Sequence, residues 1–137
     1  MDIQKNLAHF LPELHLVWFR EAKEGLEVIM SYDRQHVACP YCRSRLTIEH
    51  DRKAQRKRDC NFGKRKVFII LSKRRFRCYA CGGIFTEPDE LFGCGKRSSK
   101  RFRLYLREQA TRKGIKQVAR EESVSENMVR RCLSEVN

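Results

Sequence analysis

Cys39-Pro40-Tyr41-Cys42 and Cys78-Tyr79-Ala80-Cys81 place two Cys-x-x-Cys pairs in one chain of 137 residues. Four thiolates at this spacing supply tetrahedral metal coordination. Each pair folds as a tight knuckle aiming two sulfurs at one ion, and two knuckles complete a shell of four. One structural Zn2+ per chain, held by Cys39, Cys42, Cys78 and Cys81, is the expected occupant. Chemistry at the ion is disfavoured, because four cysteines leave no open coordination position. The 35 residues between the pairs exceed common finger spacing and leave room for strands. Gly82, directly after the second pair, suits the positive-φ turn that brings backbone amides onto sulfur. Two disulfides, a redox pair or chance cysteines are the competing readings, and the doubled spacing favours zinc. Cys60, Cys94 and Cys132 are isolated and odd in number, which fits poorly with a secreted disulfide framework. Cys94, His36 and His50 are weaker candidate ligands beside a complete four-cysteine set. Cys132 reads as a small core residue, with no histidine-centred triad around it.

The next chemistry-bearing feature is charge. The formal net charge is +13, and its placement is uneven. Residues 51–77 carry +10 and residues 96–137 carry +7, while the remainder sums to −4. Two basic segments flanking a neutral-to-acidic knuckle favour a polyanion, above all nucleic acid. A membrane surface is disfavoured, since neither segment has a wide apolar face rimmed by Trp or Phe. No stretch approaches the ~20 apolar residues of a membrane helix. Met1 to Phe10 lacks a basic start followed by an apolar run, so a soluble, cytoplasmic protein, nucleoid-associated when DNA-bound, is expected.

These groups need elements to hold them. Residues 2–10 are ambiguous, a helical turn or two at most. His15 to Phe19 is β-branched and aromatic, a polar stretch ends in Gly25, and Leu26, Val28, Met30 and Tyr32 then alternate with Glu27, Ile29, Ser31 and Asp33. This predicts a hairpin with one buried face, in which Trp18 is a core anchor rather than a base-stacking platform. Leu46 to Glu49 reads as a short strand. The polar run His50 to Asp59 is either a solvated loop or a nucleic-acid contact. After a turn at Asn61-Phe62-Gly63, Lys66 to Arg77 is a strand whose period-two geometry sets Lys73, Arg75 and Arg77 on one face, a phosphate rail. Glu87 to Gly95 has linker composition.

The last forty residues change to helical periodicity. Ser98 or Ser99 caps a helix to about Lys113, with Phe102, Leu104, Tyr105, Leu106 and Ala110 apolar, and Gly114 ends it. Ile115, Val118 and Ala119 mark a second helix and Ser123-Val124 a turn. Ser125 caps a third helix, striped by Val129, Cys132, Leu133 and Val136. The spacing is that of a helix-turn-helix, with Ser123 where glycine is commonest and a charged Glu122 before it. A helical hairpin that only stabilises the ribbon or mediates dimerisation is the bland alternative. The expected fold is α+β: a small antiparallel β zinc ribbon with an N-terminal hairpin, then a three-helix helix-turn-helix. The expected domains are 1–92 and 98–137, joined by a linker at 93–97. Candidate DNA contacts are Arg52, Lys53, Arg56, Lys57, Arg58, Lys73, Arg74, Arg75 and Arg77 on the ribbon. Lys100, Arg101, Ser125, Asn127, Arg130 and Arg131 are those on the helices.

Taken together, Cys39-Pro40-x-Cys42, His50-Asp51-Arg52, the basic strand ending Arg74-Arg75-Phe76-Arg77-Cys78, Cys81-Gly82 with Phe85-Thr86-Glu87, and the following helices carry a resemblance. Over most of residues 11–136 the chain resembles the N-terminal part of the IS-L-three family of bacterial insertion-sequence transposases. The resemblance implies a zinc-binding region and a helix-turn-helix that recognise the terminal inverted repeats of a mobile element. In full-length members an RNase H-like domain with an Asp-Asp-Glu metal site follows. No room for it remains here, so strand cleavage by this chain alone is not expected. The implied partners are double-stranded DNA and a second copy or a full-length transposase. The competing function is a zinc-stabilised adaptor or transcription regulator that binds protein or RNA.

Overall fold

The computed structural model describes residues 14–93 and 96–135. The expected helical turn over 2–10, Cys94 and Val136 lie outside the described residues. The fold is α+β. Strands β1 (Leu14–Ala22), β2 (Gly25–Tyr32), β3 (Thr47–Phe62), β4 (Arg65–Cys78) and β5 (Ile84–Thr86) form one sheet. Helices α1 (Lys100–Lys113), α2 (Ile115–Glu122) and α3 (Glu126–Ser134) follow.

The strand order is β1-β2-β4-β3, with β5 on β4. All pairings are antiparallel except β2 with β4, which run parallel from Leu26 opposite Val67 to Met30 opposite Leu71. The sheet is therefore mixed, where a wholly antiparallel ribbon was expected. The knuckle and β3 lie between β2 and β4 in sequence, and this long excursion lets β4 come back alongside β2 in the same direction.

Alternation explains how one strand serves two cores. On β4, Val67, Ile69 and Leu71 join Leu26, Val28, Met30, Tyr32, Leu14 and Phe92 in a buried cluster. The opposite face of β4 presents Phe76 and Cys78 to Val37, Cys39 and Phe85, a small core under the metal site. Fully burying each aliphatic side chain contributes about 1.5–3 kcal/mol, so the larger cluster is the main source of sheet stability.

Two expectations are corrected. Trp18 is not a core anchor: it is 61% exposed. A bulge between Leu16 and Trp18 shifts the phase of β1, so that Phe19 packs on the core and Trp18 faces out. Nor does the strand expected over Leu46 to Glu49 stop there: β3 continues through His50 to Asp59, paired with β4 from Thr47 opposite Cys78 to Phe62 opposite Arg65. Burial patterning hides such a strand, since residues 48–54 are exposed on both faces. Its backbone bonds to β4, not an apolar stripe, define it.

The helices follow their caps. Ser99 accepts the Phe102 amide and Ser125 accepts the Met128 amide. Gly114, at φ 90°, ends α1 and lets α2 start at once. Phe102, Leu106, Ala110, Val118, Ala119, Val129 and Cys132 form the helical core. Leu104, expected among the apolar positions of α1, is 42% exposed.

Residues 96–99 are stitched to β3. The Arg58 amide donates to the Arg97 carbonyl at 2.8 Å and the Ser99 amide to the Arg58 carbonyl at 2.9 Å. Behind them Asp59, fully buried, accepts from Ser99 Oγ at 2.5 Å, from Arg101 at 2.9 and 2.6 Å, and from the Cys60 amide at 2.8 Å. Glu122, also buried, accepts from Asn61 Nδ2 at 3.0 Å and lies 3.7 Å from the Arg58 guanidinium. The charge before the Ser123 turn thus closes the helices onto β3.

Candidate functional site

The two knuckles are built alike. The Arg43 amide donates to the Cys39 carbonyl at 2.8 Å, and the Cys39 amide to the Ser44 carbonyl at 2.9 Å. In the second knuckle the Gly82 amide donates to the Cys78 carbonyl, and the Cys78 amide to the Gly83 carbonyl, both at 2.9 Å. Each turn needs a left-handed residue after its second cysteine: Gly82 at φ 76° and Arg43 at φ 63°. Glycine adopts this freely, whereas arginine is strained there by about 1 kcal/mol.

The turns aim four sulfurs at one point. The Sγ atoms of Cys39, Cys42, Cys78 and Cys81 all lie within 4.8 Å of one another. Cys39 and Cys81 sulfurs are 3.7 Å apart, and those of Cys42 and Cys78 are 3.5 Å apart. A tetrahedron with Zn–S arms of about 2.3 Å has edges of roughly 3.8 Å, so the donor set fits zinc. A disulfide needs about 2.05 Å, which excludes that pairing. The Tyr41 amide donates to the Cys39 sulfur and the Gly83 amide to the Cys81 sulfur, both at 3.4 Å. The Cys81 amide, first among several groups, holds the Cys78 thiol down to about 7, whereas Cys42 and Cys81 are pushed up, against the Ser44 and Gly83 amides, by burial and their bonds to neighbouring sulfurs. The site is a single structural zinc site: Zn2+ there cross-links two knuckles and leaves no open position for catalysis. Among the described residues, His36 and His50 are exposed and outside this cluster.

The basic residues divide into two groups. Arg74 donates to the two Glu87 oxygens at 3.1 and 2.8 Å, and Glu87 is buried. Lys73 sits 3.1 Å from Asp89, whose other oxygen accepts from Tyr32 at 2.8 Å. The Asp89 oxygen facing Lys73 also lies 3.9 Å from the buried Lys57 ammonium, so one enclosed carboxylate faces two cations. Burial, then the Asp89 bond, pushes the Tyr32 hydroxyl pKa up. Lys57 is buried, with its ammonium on the Lys96 carbonyl. Arg58 is buried over the Phe102 ring, and burial lowers its pKa. Arg101 holds Asp59. These side chains are turned inward because the sheet buries carboxylates that need them. Lys73 therefore does not extend an open rail with Arg75 and Arg77.

The outward group differs. Arg52 pairs with Glu49 and Arg75 with Asp51, both at the surface. Arg56 stacks on Phe68 at 3.7 Å and reaches Glu24 at 2.9 Å. Lys53, Arg77, Lys100 and Arg131 are exposed, with no carboxylate partner among the described residues. On α3, Ser125, Asn127 and Arg130 are exposed, and Arg130 donates to Asn127 at 3.1 Å rather than to Glu126. The residues missed from sequence are Asp59, Glu87 and Glu122, whose partners are remote in the chain, and Arg43. The left-handed turn implied by Gly82 was the available signal for Arg43.

Two Cys-x-x-Cys knuckles at the end of paired strands define a zinc ribbon. Residues 35–81 match the family model of the zinc finger of the IS204/IS1001/IS1096/IS1165 transposases, so this stretch is similar to that zinc finger. No curated protein and no solved structure matches the chain. Among the described residues, no helix is long and apolar enough to cross a membrane.

Proposed function

We propose that the chain is a DNA-binding part of a transposase, in which zinc fixes the ribbon and α2 with α3 forms a helix-turn-helix on duplex DNA such as a terminal inverted repeat. The observation that carries this reading is the α2–α3 unit. Val118 and Ala119 pack against Val129 and Cys132, Ser123 turns the chain in the left-handed region at φ 54°, and Ser125, Asn127, Arg130 and Arg131 are left exposed. In a helix-turn-helix the first turns of the second helix enter the major groove. In this reading Asn127 pairs with adenine and Arg130, released from its bond to Asn127, with guanine, and Arg131 contacts phosphate. Lys53, Arg77 and Lys100 add sequence-independent backbone contacts. The role is binding, and strand cleavage is not assigned to these residues.

Selection from a random duplex library tests the reading, and enrichment of one site is the expected result. Arg130→Ala is expected to cost about 1–3 kcal/mol on that site and much less on scrambled duplex. Equal weakening on both would show that α3 does not read bases. No enrichment, with retention on acidic protein or RNA instead, would favour the adaptor.

A further inference from the structure

The zinc tip carries a surface that neither metal binding nor groove reading uses. Tyr41 stands on the first knuckle and Tyr79 on the second, 69% and 68% exposed. Solvent-exposed rings offer faces on which bases can stack. Both are held at the backbone: the Tyr41 amide bonds the Cys39 sulfur at 3.4 Å, and the Tyr79 amide bonds the Leu46 carbonyl at 2.8 Å. The Tyr41 ring lies over Gly83, where an added Cβ would stand 2.8 Å from it. Position 83 therefore leaves space for this ring.

The charge around the rings is one-sided. Residues 40–48 and 77–84 contain three arginines, Arg43, Arg45 and Arg77, and no Asp or Glu. All three are exposed and have no carboxylate partner among the described residues. Arg43 occupies its left-handed position although the sister knuckle uses glycine. Zinc with four thiolates is formally −2, which three guanidiniums more than offset. The cations are confined to the tip, since on β3 Glu49 and Asp51 pair with Arg52 and Arg75. Exposed rings beside clustered guanidiniums match unpaired nucleotides, whose bases stack on aromatic faces while their phosphates meet the charge.

We propose that Tyr41 and Tyr79 form a stacking site for unpaired bases, with Arg43, Arg45 and Arg77 holding the adjoining phosphates. The site takes a single-stranded or splayed segment next to bound duplex. It rests on the nucleic-acid reading above but uses a different surface from α3.

The test uses the zinc-loaded full chain and three labelled probes followed by anisotropy. These are a blunt duplex of random sequence, the same duplex with a short thymidine tail, and the same duplex with an abasic tail of equal length. The abasic tail keeps the phosphates and removes the bases. Wild type is expected to bind the thymidine tail on the order of tenfold more tightly than the abasic one. That ratio should fall to about one in Tyr41→Ala/Tyr79→Ala and persist in Tyr41→Phe/Tyr79→Phe, with zinc content and blunt-duplex affinity unchanged in both. A wild-type ratio of one overturns the proposal without touching the duplex reading. So does a ratio that survives the alanine pair. Self-association lost in the alanine pair, with a ratio of one, would overturn it by assigning the tip to a second copy. Weak binding to blunt duplex with the tenfold ratio intact would remove the duplex reading and support this one.

Discussion

On β4, Arg74 is 13% exposed and clamped to the two oxygens of Glu87, whereas Arg77, three positions on, is open to solvent. The two should fail differently when truncated. Removing Arg74 strands a buried carboxylate, and Arg74→Ala is expected to cost about 3 kcal/mol of stability. Arg77→Ala should leave stability within about 0.5 kcal/mol and weaken binding to all duplexes alike. Denaturant midpoints and duplex titrations of both variants provide the check. A stable Arg74→Ala protein would mean that Glu87 finds other solvation. Composition cannot tell these arginines apart, because the distinction depends on which carboxylates the fold buries, and Glu87 is remote from Arg74 along the chain.

At the scale of elements, the joint between β3 and α1 is a charged one. Asp59 binds the Ser99 cap, Arg101 and its own neighbour's amide at once, so a single carboxylate orients the first helix. Asp59→Ala is expected to destabilise by about 3 kcal/mol, moderated by the partial exposure of Arg101. In a double-mutant cycle with Arg101→Ala, the two losses should be clearly non-additive. Additive losses would show that Arg101 is a spectator. The helices themselves were legible, since Ser99, Gly114 and Ser125 announce their ends through local chemistry. The first hairpin was legible from Leu26, Val28, Met30 and Tyr32. The length of β3 was not, because residues exposed on both faces leave no apolar period. Trp18 misled for a related reason: one bulged residue inverts every assignment after it. The four zinc ligands needed only their spacing, and the sulfurs meet as that spacing requires.

For the molecule as a whole, the formal +13 overstates what a polyanion meets. Lys57, Arg58, Lys73 and Arg74 are enclosed, and Arg52 and Arg75 have surface partners. About five phosphates neutralised per chain would give a log–log salt slope of about −4 to −5. Titrations at several potassium concentrations measure it, and a slope near zero would assign the charge to something other than a nucleic-acid backbone.

The register that sets Thr47 opposite Cys78 also carries a temporal consequence. Gathering Cys42 and Cys78 across 35 residues would burden the ion with the entropy of a long loop. Once β3 and β4 zip from the Gly63-Lys64 turn, Cys42 is only five residues from Thr47, and the loop left to close is short. Hairpins form in about 1–10 μs. Zinc is therefore expected to arrive last, locking a clasp whose halves the strands have already brought together. Stopped-flow mixing of zinc with metal-stripped chain is expected to show strand circular dichroism already present before uptake. Strand signal that develops only after zinc binds would reverse that order.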